Sequence, residues 1–454
     1  MLLFVCRRVA VLRKRIAMHA ARSFTFAGLG LLALAALSGQ ASAGNVAVGL
    51  CAAAGTHYLT IQTAVTAAEA LTPPNVVRVC PGTYHEQVTI DAPLTLEGIQ
   101  AATPAPLQDA VVILPPSGGA VQNTSDVCIY PNTGYCSNGF PIAAQILVEN
   151  TTGVTISNLT VDGTGNGLSS GCSVNLDGIL FQNASGTVGH VAVRNQLLND
   201  VLTGCQTGDG IYVESSSGSS SVSVTASSVH NYNKNGITGR YAGTTLTTTG
   251  NYVQGQGIQP GLAAANGIEL AFGAAGTINT NTVIDNVYQD PTSATAADIL
   301  LFDTEEDVSI EVNSNTLGNS QVPIGLYTDT AGTYGDGVFV ESNRIFGTGA
   351  YDAIDVCTNG NIVKSNTIFN SAESGVHLDA SCGGGTGETA TNNIIVESAC
   401  AGILVDSGAG GTTTPNTDWT VPFPVATSTS ACTIPEFGGA ASVRAKGTHK
   451  HPTP

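Results

Sequence analysis

The sequence predicts an all-β solenoid, a stack of coils of the parallel β-helix kind. Two repeats carry that prediction. A glycine followed by a β-branched or aliphatic residue returns at intervals of roughly 22 to 32 residues, as Gly178-Ile179, Gly210-Ile211, Gly236-Ile237, Gly267-Ile268, Gly325-Leu326, Gly375-Val376 and Gly402-Ile403, with Asp298-Ile299 and Ala353-Ile354 filling the gaps. Each opens a short alternating strand such as Ile211-Tyr212-Val213-Glu214. Units this short cannot bury an apolar face alone and must stack. The second repeat is an Asn at or just before an aliphatic residue: Asn158-Leu159, Asn281-Thr282-Val283, Asn315-Thr316-Leu317, Asn343-Arg344-Ile345, Asn366-Thr367-Ile368 and Asn393-Ile394-Ile395. Asn tolerates left-handed backbone in tight turns, and one per unit at the same turn stacks into an inward polar ladder. The period-2 strands exclude a helical solenoid, and the strand-corner-strand rhythm lacks the hairpin turns of a propeller or sandwich. With 54 glycines and only 11% charged residues, the composition agrees.

Along the chain, residues 1–43 read as a secretory signal peptide. Arg22 precedes the apolar run Phe24 to Leu37, which ends at Ala41-Ser42-Ala43, too short and wrongly flanked for a membrane span. The start is open between Met1 and Met18, because Arg7, Arg8 and Lys14 make a long basic leader. Thr60 to Leu71 reads as a short capping helix with Ile61, Ala64, Val65, Ala68 and Leu71 on one face, Thr60 as N-cap and Pro73-Pro74 as terminator. Strands follow at Val76 to Cys80, Val88 to Ile90 and Leu94 to Gly98, and the coil rhythm then runs on. The solenoid is placed at 44–410. Residues 411–454, Thr-rich and interrupted by proline, read as an irregular strap and disordered tail.

The chain has 11 cysteines, and removal of Cys6 with the signal leaves an even set: Cys51, Cys80, Cys128, Cys136, Cys172, Cys205, Cys357, Cys382, Cys400 and Cys432. No CxxC pair suggests zinc, so these are read as disulfides of an oxidising compartment. Cys172 and Cys205 occupy nearly the same place on successive units and would sit side by side. Nearness also pairs Cys51 with Cys80, Cys128 with Cys136, Cys357 with Cys382 and Cys400 with Cys432. The net charge of −18 becomes about −24 once the six basic residues of the leader are gone. Such a surface repels nucleic acid and anionic lipid. A secreted monomer, extracellular or periplasmic, is expected, with neither nucleic acid nor membrane as a partner.

Ile61-Gln62-Thr63-Ala64-Val65, then Val76 to Val79, then Cys80-Pro81-Gly82-Thr83-Tyr84-His85-Glu86-Gln87-Val88 resemble the N-terminal cap and first coil of right-handed parallel β-helix proteins of the pectin-lyase-like superfamily. With the later coils the resemblance covers nearly all of residues 50–406. It implies a right-handed parallel β-helix solenoid with a short N-terminal capping helix. It implies no one activity, since the superfamily holds lyases, hydrolases, esterases, epimerases and non-catalytic binders. Gly82-x-Tyr84-x-Glu86 resembles the first signature of pectin methylesterases, but the remaining signatures are missing, and Tyr84 and Glu86 are read as ordering the first coil. Asn175-x-Asp177-Gly178 and Gly208-Asp209-Gly210 resemble polygalacturonase motifs, without the Gly-His-Gly and Arg-Ile-Lys that should follow; Asp before Gly is also what a tight turn wants. The Asp-Pro-His-Asp of mannuronan epimerases is absent, as are the Asp/Arg signatures of pectate lyases.

Aligning the strands on their opening glycine points the second and fourth following residues outward. The second positions read Leu180, Tyr212, Thr238, Glu269, Leu300, Tyr327, Asp355, His377 and Leu404; the fourth read Gln182, Glu214, Arg240, Ala271, Phe302, Asp329, Cys357, Asp379 and Asp406. Adjacent coils lie about 4.8 Å apart and same-face neighbours about 6.7 Å, so Asp355 touches His377 and lies roughly 8 Å from Asp379. That is the carboxyl separation of an inverting glycosidase. Asp355, His377 and Asp379 are therefore the catalytic expectation, with Tyr327 as a stacking platform and Asp329 as a third acid. Tyr212, Glu214, Arg240 and Glu269 form a second substrate-binding group, also readable as a salt bridge. No metal centre is assigned. Calcium is the one cofactor with a candidate, Asp303, Glu305, Glu306 and Asp307, which reads equally as a solvated loop. The expected function is binding, and cleavage or modification, of an extracellular polysaccharide. The alternative is a non-catalytic surface or adhesion module.

Overall fold

The computed structural model describes residues 44–52, 56–100, 107–128, 139–168, 172–198, 205–216, 218–258, 263–288, 295–304, 310–329, 336–349 and 351–427. Each coil contributes one strand to each of three parallel sheets, as in Val154–Ser157, Thr160–Asp162 and Asn175–Gln182. Among the described residues the sheets, here A, B and C in that order around the coil, hold 14, 12 and 13 strands. Inward Val, Ile and Leu from all three fill one continuous core, from Val46 and Val77 to Ile395 and Ile403. Every glycine-opened strand falls in sheet C. The chain is a parallel β-helix.

The helix Ile61–Glu69 closes the N-terminal end, with Ile61, Ala64, Val65 and Ala68 buried. Thr60 caps it by accepting from Thr63 N. Leu71, expected on the buried face, is 43% exposed, because the helix stops before it. Glu86 adds a second cap from the first coil: its two oxygens accept from Ile61 N at 2.8 Å and Gln62 N at 2.9 Å. These are among the N–H groups a helix start leaves unpaired. Tyr84 OH donates to Cys80 O at 2.7 Å. The Gly82-x-Tyr84-x-Glu86 motif thus clamps cap to coil.

From Val154–Ser157 to Thr386–Thr391 the corner between sheets A and B takes two residues, and the last corner, at Asn416, is longer, with Pro415 before the asparagine. Of the two residues, the first has positive φ, as at Ser314, Ser342 and Ser365, each at 58°. The second turns its side chain inward, and in the C-terminal coils it is Asn251, Asn281, Asn315, Asn343, Asn366, Asn393 and Asn416. Each Nδ2 donates to the Oδ1 of the next at 2.9–3.1 Å. Each also gives its backbone N–H to that oxygen, as from Asn315 to Asn343 at 2.9 Å. Asn158 is not a rung. It holds the left-handed position, φ 58°, and Leu159 takes the inward one.

Three expected disulfides are present, Cys51–Cys80, Cys172–Cys205 and Cys357–Cys382, with Cα–Cα separations of 5.6, 5.4 and 5.6 Å. The first ties the turns after Asn45–Val48 and Val76–Val79 rather than the helix itself. Cys128 and Cys400 are also bonded, and Cys136 and Cys432 lie outside the described residues, as do the leader and residues 428–454. The repeat runs one coil beyond the expected end. Gly410–Thr412, Thr417–Trp419 and Phe423–Ala426 each pair with the strand before them, because Asn416 supplies a further corner despite Pro415.

Replacing Asn343 removes the acceptor for Asn315 N and Nδ2 and the donor to Asn366 and Val312 O. Buried groups left unpaired cost about 1–3 kcal/mol each. Chemical unfolding of Asn343→Ala is expected to show a loss of at least about 2 kcal/mol, whereas Asn158→Gly, which keeps a left-handed corner, stays within about 1 kcal/mol of wild type.

Candidate functional site

The outer face of sheet C is set apart by burial. Sheet A strands alternate, as in Ser220–Thr225, but Asp209–Glu214, Asn266–Ala271 and Ala297–Phe302 are buried at every residue. The outer positions expected to meet solvent are therefore covered. Part of the cover is the strap Val121–Cys128, whose strand Thr124–Ser125 runs antiparallel to Pro141–Glu149. Thr124 Oγ1 donates to Gln182 Oε1 at 2.7 Å, Gln182 Nε2 to Ser125 O at 2.9 Å, and Tyr241 OH to Asp126 at 3.1 Å.

The expected register holds along most of the face. Tyr212 pairs with Thr238, Thr238 with Glu269, Asp355 with His377 and His377 with Leu404. It slips at one coil. Leu300 pairs with Gly325 and Phe302 with Tyr327, since that strand opens at Pro323-Ile324. Gly325 is the outward residue, and a Cβ there would lie 2.2 Å from the Tyr327 ring. The glycine gives Tyr327 room to lie back over the strand and donate to Asp355 Oδ2 at 2.9 Å. Tyr327 is thus buried and cannot serve as a stacking platform. Asp329 lies exposed beyond the strand end and binds Asp303 through its backbone N–H.

A further outward row precedes the glycines. A Cβ on Gly178 would lie 2.6 Å from Val193 of the core, so Gly178 and Ile179 both face inward and the alternation breaks. That break returns Asp177 to the outside, paired with Asp209 on the next coil. Neither is a turn residue, as the Asp-Gly dipeptides suggested. Asp352 occupies the same row farther along.

Two ionisable clusters result. The central one holds Asp126, Asp177, Asp209, Tyr212, Glu214, Lys234, Arg240, Tyr241 and Glu269. Arg240 Nε donates to Glu269 Oε1 at 2.8 Å and its guanidinium stands 5.8 Å from the Tyr212 ring and 5.9 Å from Phe272. Thr238 Oγ1 and Asn266 Nδ2 also donate to Glu269. Lys234 Nζ donates to Ala264 O at 3.1 Å, and burial lowers it to about 8. Burial pushes Asp209 up to about 7 against the pull of Arg240, and Glu214 up to about 8, with Asp126 adding to the latter. Asp177 is driven well above the carboxylate range by burial and by Asp209 and Glu214. Among the described residues, both Asp177 oxygens, Asp209 Oδ1 and Glu214 Oε2 are buried without a hydrogen-bond partner. The expected group Tyr212, Glu214, Arg240 and Glu269 does converge. The sequence reading passed over Lys234, Tyr241 and Asp126, which come from a coil corner, a strand end and the strap.

The second cluster gathers Asp355, His377 and Asp379, as expected, with Asp352, Asp406 and Tyr327. His377 Nδ1 lies 3.1 Å from Asp352 Oδ2 and 3.7 Å from Asp355 Oδ1, and Nε2 lies 3.4 Å from Asp406 Oδ1. Burial would lower the imidazole, but Asp352, Asp406 and Asp355 hold it well above its usual range. Burial and Asp379 raise Asp355. Asp379 accepts from Ser381 N and Oγ at 2.7 and 2.8 Å. Between the clusters lies an apolar belt of Ala271, Phe272, Leu300 and Phe302. In the calcium candidate, Asp303 accepts from Thr328 Oγ1 at 2.7 Å; Glu305, Glu306 and Asp307 lie outside the described residues.

No family model matches the chain, and no curated protein matches it by sequence. Among solved structures it is similar to the A-module of mannuronan C-5 epimerase AlgE6 from Azotobacter vinelandii, with 15% identity and a TM-score of 0.55 over 80% of this chain and 90% of that one. The AlgE4 A-module of the same organism matches with 14% identity and a TM-score of 0.53 over 81% and 92%. A GH136 lacto-N-biosidase from Eubacterium ramulus matches with 10% identity and a TM-score of 0.52 over 85% and 68%. The likeness is one of fold, that of a parallel β-helix.

Asp209 gives a test of this electrostatics. With its folded pKa raised from the usual 3.8 to about 7, it favours folding below the unfolded value, and that contribution is lost as pH rises through 7. Asp209→Asn is therefore expected to be more stable than wild type at pH 8, by on the order of 2–4 kcal/mol, and to differ far less at pH 4. Urea unfolding at the two pH values reads the difference.

Proposed function

We propose that this is an exported protein that hydrolyses an extracellular polysaccharide on the outer face of sheet C, with Asp177 and Asp209 as its working carboxyls. The observation that supports this most is the pair itself: two acids in register on adjacent coils, buried, with unpartnered oxygens and raised pKa values. Pairs of interacting acids whose environments push their pKa values up are what acid–base catalysis at neutral pH requires. The bonded cysteines fit an oxidising compartment. The fold is shared with proteins described as mannuronan epimerases and a lacto-N-biosidase.

Adjacent coils stand about 4.8 Å apart, close to the carboxyl separation of about 5–5.5 Å used by retaining glycosidases. Asp177, whose proton is held by burial and by the neighbouring Asp209 and Glu214, gives it to the leaving glycosidic oxygen. Asp209, which ionises near neutrality beside Arg240 and Lys234, attacks the anomeric carbon as that bond breaks. Water then releases the sugar from Asp209 while Asp177 takes the proton back. Five acids against two cations in the cluster favour a neutral glycan over a uronate. Alongside, Arg240 reaches the surface to meet the glycan, while the buried Tyr212, Glu214 and Glu269 hold it in place.

Two other readings have support. The covered face favours a non-catalytic surface or adhesion module, whose buried ion pairs would serve only to hold the coils. The second cluster keeps Asp355, His377 and Asp379 as an alternative catalytic set. Reducing-end release from a panel of neutral and acidic polysaccharides separates the three. Asp177→Asn and Asp209→Asn are expected to lower kcat by about a thousandfold or more, and Asp355→Asn and Asp379→Asn by less than about tenfold. Loss confined to the latter pair moves the chemistry to His377, and glycan binding without turnover supports the module. In active protein, kcat/KM is expected to rise from pH 5 to about 7 as Asp209 ionises.

A further inference from the structure

We infer that the second cluster is a binding site for a divalent transition-metal ion of the zinc type, with His377 Nδ1, Asp352 Oδ2 and Asp355 Oδ1 as its ligands. This goes beyond the glycan reading and does not depend on it. The three donor atoms lie within 4.8 Å of one another on buried residues. Asp352 and Asp355 stand on two outward rows of one coil, and His377 on the next coil in register with Asp355.

The spacing admits a shared ion as well as an ion pair. Charge-assisted N–H···O bonds run at about 2.7–2.9 Å. The imidazole instead lies 3.1 Å from one carboxylate and 3.7 Å from the other. Zinc with ligands at about 2.0–2.2 Å places them roughly 3.0 to 3.5 Å from each other. The outer oxygens are already oriented. Asp352 Oδ1 accepts from Ser374 N at 2.8 Å, and Asp355 Oδ2 accepts from Tyr327 OH at 2.9 Å. That arrangement aims Asp352 Oδ2 and Asp355 Oδ1 at Nδ1. Asp355 Oδ1 is the second, independent sign of a ligand: it is buried, its residue only 2% exposed, and it has no hydrogen-bond donor.

On the other side of the ring, Asp406 Oδ1 stands 3.4 Å from Nε2. A carboxylate behind a ligating histidine fixes its tautomer and raises its basicity. The opposite trio, His377 with Asp379 and Asp406, is less suitable, because both Asp379 oxygens are already held by Ser381. Calcium does not suit a nitrogen ligand with two carboxylates, since it collects six to eight oxygens. One imidazole and two carboxylates leave a fourth tetrahedral position for water, the pattern of a reactive zinc site.

The test uses the oxidised, signal-free chain, stripped with chelator and titrated calorimetrically with ZnCl2, CoCl2 and CaCl2. Expected is one equivalent of Zn2+ that is absent in His377→Gln and Asp355→Asn, which also controls for the histidines of the C-terminal tail. Asp406→Asn should weaken that equivalent by about tenfold, and Asp379→Asn should leave it intact. Co2+ should give the visible absorption of four- or five-coordination, and millimolar Ca2+ should not displace Zn2+. Where a variant folds poorly, wild type still decides: zinc should raise its unfolding temperature and calcium should not. Zn2+ uptake equal in wild type and His377→Gln, displacement by Ca2+, or loss in Asp379→Asn but not Asp355→Asn would each overturn the assignment.

Discussion

Everything in this molecule depends on the hydrogen bonds that hold each coil to the next in one register. A single coil encloses only a thin slice of Val, Ile and Leu and has no core of its own. The slices make a core because each strand sits directly over its predecessor, and a slip of one residue would turn every core side chain to the other face. The corners enforce the register. At the A-to-B corner a left-handed residue and an inward asparagine do so in two residues, with the asparagine accepting from the backbone of the coil before it. Sequence length between coils can then vary, because the surplus is spent in loops beside sheet C while the corner stays constant.

The outer face of sheet C is crossed by the strap, and polar side chains there are taken out of water. Removing carboxyls and an arginine from water costs several kcal/mol per ion before pairing. The stack tolerates this because its stability is summed over many coils. A short domain with one core would have far less margin. The two clusters are separated by Ala271, Phe272, Leu300 and Phe302, so each titrates among its own partners.

Most of the fold was legible in the sequence, since periodicity reports it directly: the glycine-aliphatic repeat marks sheet C and the asparagine repeat marks one corner. Where the reading failed, a local exception was responsible. Gly325 was taken as a strand opening, yet Pro323 opens that strand and Gly325 makes room for an aromatic ring. Asp177 and Asp209 were assigned to turns because the break in alternation at Gly178 is a three-dimensional event with no sequence mark. Asp126 could not be placed at all, because it reaches the face from a strap 114 residues before its partner Arg240. Convergence of Asp355, His377 and Asp379 was readable because those strands are short and their spacing regular. The depth at which they are buried was not, since it depends on loops that follow no period.

The asparagine rungs have one more consequence. All six side-chain links point the same way, each amide group giving to the carbonyl oxygen of the next coil toward the C-terminus. The array is therefore a one-way wire of aligned dipoles threaded through an apolar interior. The side-chain links begin at Asn251, while the backbone links reach two coils farther, Ser227 N giving to Asn251 Oδ1 and Val191 N to Ser227 Oγ, with Leu159 at the corner before. The two halves of the solenoid thus have different grammars, one closed by grease and a capping helix, the other by a polarised chain. The dipoles of those amides add along the C-terminal coils, so their partial negative end faces Ser227 and their partial positive end faces the last coil.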